Sequence, residues 1–187
     1  MTDFFAVFGL QPRPVIDVAL LSNLFASKSK SVHPDHGADG DFATLNEAFQ
    51  TLAHPVTRVW HLLALSGGEA KPTSARAEVN AWFGQVANSL QRFDQMLQPL
   101  SQETSSLLRA IKIGEGQVLV DELEKLSEDL GAEKQGLLEA LAQIDARWPS
   151  DLAADRSALA QIACDLRFVE KWLAQIAERR LRFQELL

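Results

Sequence analysis

The sequence contains no tyrosine and a single cysteine, so an internal disulfide is excluded. Cys164 lies between Ala163 and Asp165 with no base or cation beside it, which indicates an inert packing residue and is consistent with a reducing compartment. No run of about 18 apolar residues exists, so we predict no membrane span. No long stretch alternates apolar and polar residues, and the β-branched residues are scattered. These absences predict an all-α fold.

The net charge is −7, and basic residues do not outnumber acidic ones either before or after residue 66. Nucleic acid is therefore not an expected partner. The N-terminus carries Asp3 and lacks the basic segment of a secretory signal and the arginine-rich composition of an organelle transit peptide. We expect a cytoplasmic, bacterial-type protein.

Two amphipathic helices flank the tripeptide His33-Pro34-Asp35. The first is capped by Asp17, and Pro34 must stop it because the residue before a proline is disfavoured in a helix. The second begins at Phe42, which leaves a polar loop from Pro34 to Asp41. The residues expected to face the core are Val18, Leu21, Leu24, Phe25 and Val32 in the first helix, and Phe42, Leu45, Ala48, Phe49 and Leu52 in the second.

This arrangement predicts an antiparallel hairpin with His33, Pro34 and Asp35 exposed at its tip. An imidazole and a carboxylate held there could contact an arginine or backbone amides of another protein, because carboxylates take strong charge-assisted hydrogen bonds. The simpler interpretation is a helix stop followed by a turn.

Three longer stretches surround this loop with a recognisable pattern: DFFAVFGL at 3–10, LNEAFQTLAHPVTRVWHLLALSGG at 45–68, and DLRFVEK at 165–171. Together with the tripeptide they resemble the HscB/Jac-type J-domain co-chaperones of iron–sulfur cluster assembly. The resemblance implies that His33, Pro34 and Asp35, aided by Lys28 and Lys30, bind a DnaK/HscA-class chaperone and stimulate its ATPase. It implies no cofactor and no catalytic activity of the chain's own.

The chain departs from the J-domain pattern at several positions. Only Lys28 and Lys30 supply the basic face of the second helix, and Lys28 stands where the family has an apolar residue. Val32 replaces an aromatic residue, and His36 replaces a basic one. The alternative is therefore a non-catalytic helical adaptor with a degenerate J-domain.

Ser66, two glycines and Pro72 mark a linker, so we predict a J-domain at 1–66, a linker at 67–73 and a helical bundle at 74–187. The fourth helix is expected at 55–65. In the bundle we expect helices at 74–98, ended by Pro99, at 102–113, closed by Gly114 and Gly116, at 117–147 and at 150–186. The simplest arrangement is a bundle of three main helices, with 101–116 as an extra segment.

In the last helix, two aromatic residues are offset from the apolar stripe. With 3.6 residues per turn, Phe168 projects roughly 130° and Trp172 about 90° from that stripe. They either form an exposed interaction site or pack on a neighbouring element. The stripe consists of Leu159, Ile162, Leu166, Val169, Leu173 and Ile176.

The resemblance assigns Phe168, with Trp82, Phe83 and Val86, to the surface that holds an IscU-type iron–sulfur scaffold protein, and Trp172 is a further candidate. Periodicity alone would instead place Trp82, Phe83 and Val86 in the core of the bundle. The family carries acidic residues beside this surface. Here the corresponding positions are Ala87, Leu90 and Asp94, which supply one carboxylate.

All four histidines lie within the first 61 residues. His33 and His36 with a nearby aspartate could ligate zinc, but His54 and His61 belong to the other end of the hairpin, so we predict no metal site. The sequence has no glycine-rich phosphate loop and no recognisable nucleophile arrangement. The protein is not expected to be an enzyme.

Overall fold

The computed structural model describes residues 1–31, 39–67, 74–148 and 152–187. These residues form α-helices without any strand, which confirms the predicted all-α class. No helix within the described ranges is long and apolar enough to cross a membrane. The helices are α1 (Phe4–Phe8), α2 (Val18–Ser31), α3 (Asp39–Ala53), α4 (Pro55–Leu65), α5 (Ala77–Ser101), α6 (Ser106–Ala146) and α7 (Leu152–Gln184).

The chain forms two compact units. The first contains Met1–Thr73 and Leu138–Cys164, and the second contains Ser74–Leu137 and Asp165–Leu187, so α6 and α7 contribute residues to both. The division predicted from sequence, at 1–66, 67–73 and 74–187, stays a prediction, since most of the linker lies outside the described residues.

In the first unit, α1 is a short helix with a cap at each end. The Asp3 carboxylate accepts hydrogen bonds from the backbone N–H groups of Phe5 (2.9 Å) and Ala6 (3.2 Å). Gly9 ends the helix in the left-handed conformation at φ 69°, which glycine adopts without steric cost. Phe5 and Phe8 are buried between these caps, so one turn of helix is anchored in the core.

Helices α2 and α3 pack together through the rings of Phe25 and Phe49, whose centroids are 4.5 Å apart. Asp17 caps α2 as predicted, accepting from the N–H groups of Ala19 (2.8 Å) and Leu20 (3.2 Å). Helix α3 begins at Asp39 rather than at Phe42, so the predicted loop is too long at this end.

A buried arginine fixes the segment between α1 and α2. Arg58 of α4 donates from Nε to the Pro14 carbonyl (2.8 Å) and from Nη1 to the Leu52 carbonyl (2.7 Å). Burial lowers the pKa of Arg58 to about 10, while the negative charge of Asp145 opposes that shift. Asp145 also accepts from Arg13 and from the Val15 N–H. The α1–α2 connection is thereby held by side chains from α4 and α6.

His61 of α4 completes the cap of α1. Its Nε2 accepts a hydrogen bond from the Phe4 N–H (3.0 Å), and its ring stacks on Phe4 with centroids 4.5 Å apart. Burial lowers the pKa of His61, and the charges of Asp3 and Glu47 partly oppose this. The neutral imidazole is therefore the form that stabilises the fold.

In the second unit, ion pairs define the helix directions. Arg76 bonds Asp165 and Asp94 bonds Arg179, so α5 and α7 run parallel. The pairs that join α5 to α6 run in the opposite sense, with Arg76 near Glu133 (3.8 Å) and Arg92 on Glu122 (2.7 Å). The three long helices thus supply the main bundle that the sequence predicted.

Two predicted helix boundaries in this unit are wrong. Helix α5 continues through Pro99 to Ser101, although the proline lacks the N–H of one helical hydrogen bond. Helix α6 runs without a break through Gly114 and Gly116, so the extra segment largely belongs to this helix. Lys112, which bonds Glu103 (2.7 Å), and Arg109, which bonds the Leu186 carbonyl (2.6 Å), hold its first part in place.

Candidate functional site

The predicted chaperone-binding residues lie around the loop between α2 and α3. His33, Pro34 and Asp35 lie outside the described residues. Lys28 and Lys30 occupy the last turn of α2, where cations are favoured by the helix dipole. Lys28 is half-buried and Lys30 is exposed.

The three predicted scaffold-binding residues of α5 differ in exposure. Val86 is buried, with 1% of its surface accessible, and Trp82 is half-buried. Phe83, in contrast, is 62% exposed, so the core position that periodicity suggested for it is wrong. An aromatic ring left this open to water on a packed helix is a candidate contact residue.

The two predicted residues of α7 contact each other. The ring centroids of Phe168 and Trp172 are 6.0 Å apart at an interplanar angle of 40°. Phe168 is half-buried, whereas Trp172 is only 6% exposed and packs within the second unit. Of the predicted α7 stripe, every residue is buried except Leu173, which is half-buried.

Phe83, Val86 and Trp172 meet in an open groove of about 500 Å³ between α5 and α7. Phe168 contacts Trp172, but neither Phe168 nor Trp82 lines the groove. The remaining walls are mostly amides and short apolar groups: Ala87, Leu90, Gln91, Gln95, Gln98 and Gln175, with the charged Asp94, Lys171 and Arg179. The structure thus brings three of the five predicted residues to one groove, and a fourth, Phe168, contacts one of them.

The sequence placed the Asp94 carboxylate beside the predicted surface, but it did not predict that Arg179 pairs with it. The Asp94 carboxylate accepts two hydrogen bonds from the Arg179 guanidinium, to Oδ1 at 2.9 Å and to Oδ2 at 2.7 Å. Lys171 lies exposed at the same groove. Asp94 and Arg179 are 85 positions apart, and no local pattern signals that they meet.

Among the described residues, no three histidine, cysteine or acidic side chains converge as metal ligands would. His33 and His36, the residues of the zinc alternative, are outside those ranges. Cys164 is buried, in agreement with its predicted packing position.

No protein-family model matches the sequence. Among solved structures, the chain is similar to the chaperone HscB from Vibrio cholerae, with a TM-score of 0.61 at 20% sequence identity over 100% of both chains. It is also similar to the human co-chaperone protein HscB, with a TM-score of 0.54 at 17% identity, covering 97% of this chain and 83% of the human one. The chain therefore has the HscB-type fold that its sequence resembles.

Proposed function

We propose that this protein is a co-chaperone that stimulates the ATPase of a DnaK/HscA-class chaperone and delivers an IscU-type iron–sulfur scaffold protein to it. The observation that carries this proposal is the position of His33-Pro34-Asp35: it lies between α2 and α3 of a chain whose fold matches HscB along its whole length. In this proposal the chain binds and recruits, and does not itself catalyse a reaction. The single, buried Cys164 fits a cytoplasmic location.

On the chaperone side, we assign the contact to His33, Pro34 and Asp35. A proline restricts the backbone, so the imidazole and the carboxylate beside it lose little conformational freedom on binding. Lys28 and Lys30 extend the contact along α2 and favour an acidic patch on the chaperone. Stimulation requires that these residues bind one nucleotide state of the chaperone better than the other.

On the scaffold side, we assign the contact to the groove that contains Phe83, Val86 and Trp172, with Phe168 beside it. The exposed Phe83 ring supports this assignment, since contact anchors are often aromatic residues in partly formed pockets. A protein that binds the chaperone and the scaffold at once raises the effective concentration of one beside the other.

The test is the steady-state ATPase rate of the DnaK-class chaperones of the same organism, with and without this protein and the scaffold. We expect synergistic stimulation that is lost in Asp35→Ala and in His33→Gln, while the melting temperature of each variant stays close to that of the wild type. Stimulation that survives Asp35→Ala would overturn the assignment of the loop.

The second candidate is an adaptor without productive chaperone contact. It is favoured by the sparse basic face of α2, where Lys28 is half-buried and only Lys30 is fully exposed. An adaptor would bind the scaffold with the same affinity but leave every chaperone's ATPase rate unchanged, so the same measurement separates the two functions.

A further inference from the structure

The aromatic groove of the second unit carries an excess of positive charge, although the whole chain has a net charge of −7. Two cations of α7, Arg167 and Lys171, are responsible. Both are exposed, and Lys171 lines the groove beside Phe83 and Trp172. The Arg167 guanidinium lies over the Phe168 ring, 5.5 Å from its centroid, which extends the same surface by one helical turn.

Neither cation forms a salt bridge within the described part of the chain. The other basic residues of α5, of its N-cap and of α7 in this unit each have a carboxylate partner: Arg76, Arg92, Arg179, Arg180 and Arg182. Glu170, which lies between Arg167 and Lys171 in sequence, bonds Lys134 at 3.0 Å. Because most neighbouring cations are neutralised internally, these two are available to a partner.

The carboxylate that could have balanced them is already engaged. Asp94 is the acidic residue that lines the groove, and both of its oxygens accept from Arg179. A bidentate pair of this kind holds the carboxylate in a fixed orientation and reduces its attraction for an outside cation. The groove therefore presents an aromatic and amide floor with unpaired positive charge at its edge.

The positions of Arg167 and Lys171 add a second argument. They are four residues apart on α7 and so lie on one face of the helix, where like charges repel and weaken the helix slightly. A carboxylate bound between them would remove this repulsion as well as adding its own attraction.

We propose that this groove binds an acidic, apolar segment of its partner protein, in which aromatic or aliphatic side chains contact Phe83 and Trp172 and carboxylates contact Lys171 and Arg167. The inference rests on the proposed scaffold-binding role of the groove. It specifies that role further, because it assigns the partner's contacting segment a negative charge.

The experiment measures the affinity of the full chain for the purified IscU-type scaffold protein of the same organism. Lys171→Glu and Arg167→Glu are each expected to weaken binding about three- to tenfold, and wild-type binding should weaken as salt is raised. Lys125→Glu is the matched control, because Lys125 is an exposed residue of α6 that does not line this groove. It makes the same change in net charge and should leave the affinity unchanged.

Two short amphipathic peptides test the charge preference without the scaffold protein. They share the same leucine and phenylalanine residues, and one carries glutamates where the other carries lysines. They therefore test this inference separately from the scaffold assignment. We expect the glutamate peptide to bind more tightly than the lysine peptide and to lose this preference in Lys171→Glu. Equal binding, failure of both peptides, or a preference for the lysine peptide would overturn the inference.

One outcome is that scaffold binding is weakened by Phe83→Ala and unaffected by Lys171→Glu and Arg167→Glu. That result would contradict the inferred acidic segment of the partner, but it would keep the assignment of the groove as the scaffold-binding site. Failure of the scaffold to bind at all would reject the scaffold assignment instead. The peptide pair would then still decide the charge preference of the groove.

Discussion

The buried ring of Phe183 in α7 lies directly against the backbone of Gly116 in α6. A Cβ atom at position 116 would be 2.9 Å from Cζ of that ring and 3.1 Å from the sulfur of Met96, so even a methyl group has no room. Gly116 therefore permits close helix packing in the second unit, and it does not end a helix.

We expect Gly116→Ala to lower the free energy of unfolding by up to about 2 kcal/mol. The cost of displacing a buried aromatic ring, about 1–3 kcal/mol, exceeds the gain of roughly 1 kcal/mol in helix propensity. Urea denaturation measures the change. Gly114→Ala is the matched control, because nothing lies within 4 Å of a Cβ at that position, and it should stabilise by up to about 1 kcal/mol. Equal gains for both variants would contradict the packing argument.

Replacement of Arg58 by methionine is expected to destabilise the protein by about 2–4 kcal/mol, because it leaves the Pro14 and Leu52 carbonyls without their donor. Chemical denaturation measures this loss. Arg92→Met provides the comparison, since Arg92 pairs with Glu122 at the exposed surface, where such a pair contributes about 0–1 kcal/mol. Losses of similar size would show that the Arg58 hydrogen bonds contribute no more than a surface pair.

His61 should make the stability of the fold depend on pH. We expect the free energy of unfolding to fall as the pH is lowered through 6.5, the ordinary pKa of histidine. Burial lowers the pKa of this imidazole in the folded state, so the unfolded chain binds a proton that the folded chain does not. The loss begins near pH 6.5 and is complete below the folded-state pKa. Its structural cause is that a protonated Nε2 can no longer accept from the Phe4 N–H.

The measurement is the free energy of unfolding of the wild type and of His61→Gln between neutral and mildly acidic pH. The variant cannot titrate at this position, so its stability should depend less steeply on pH. The same slope in both proteins would assign the pH dependence to other groups.

Phe83→Ala should change the free energy of unfolding by less than about 0.5 kcal/mol, since substitutions at exposed positions have small effects. It should nonetheless weaken binding of the scaffold protein. Phe93→Ala, ten residues along the same helix and fully buried, should cost about 3–5 kcal/mol. Thermal or urea denaturation together with a binding titration distinguishes the two. A large loss of stability in Phe83→Ala would mean that this ring packs and is not a free contact residue.

Local sequence chemistry predicted several elements of this fold correctly. The cap at Asp17, the helix at 55–65 opened by Pro55, and most of the buried stripe of α7 follow from interactions among residues a few positions apart. The HscB-type fold was also predicted. Each stretch that resembles the family is continuous in sequence, so it can be recognised without the tertiary structure. The roles of His33, Pro34 and Asp35 stay predictions.

The sequence by itself therefore determined the helical class and the first four helices, with the His-Pro-Asp tripeptide between the second and the third. Only the tertiary structure decided that Phe83 is exposed, that Gly116 accommodates Phe183, and that Asp94 is neutralised by Arg179. Periodicity identifies the apolar face of a helix but not how far the neighbouring helices cover it. Packing and charge pairing depend on side chains separated by tens of residues, and these meet only once the helices have assembled.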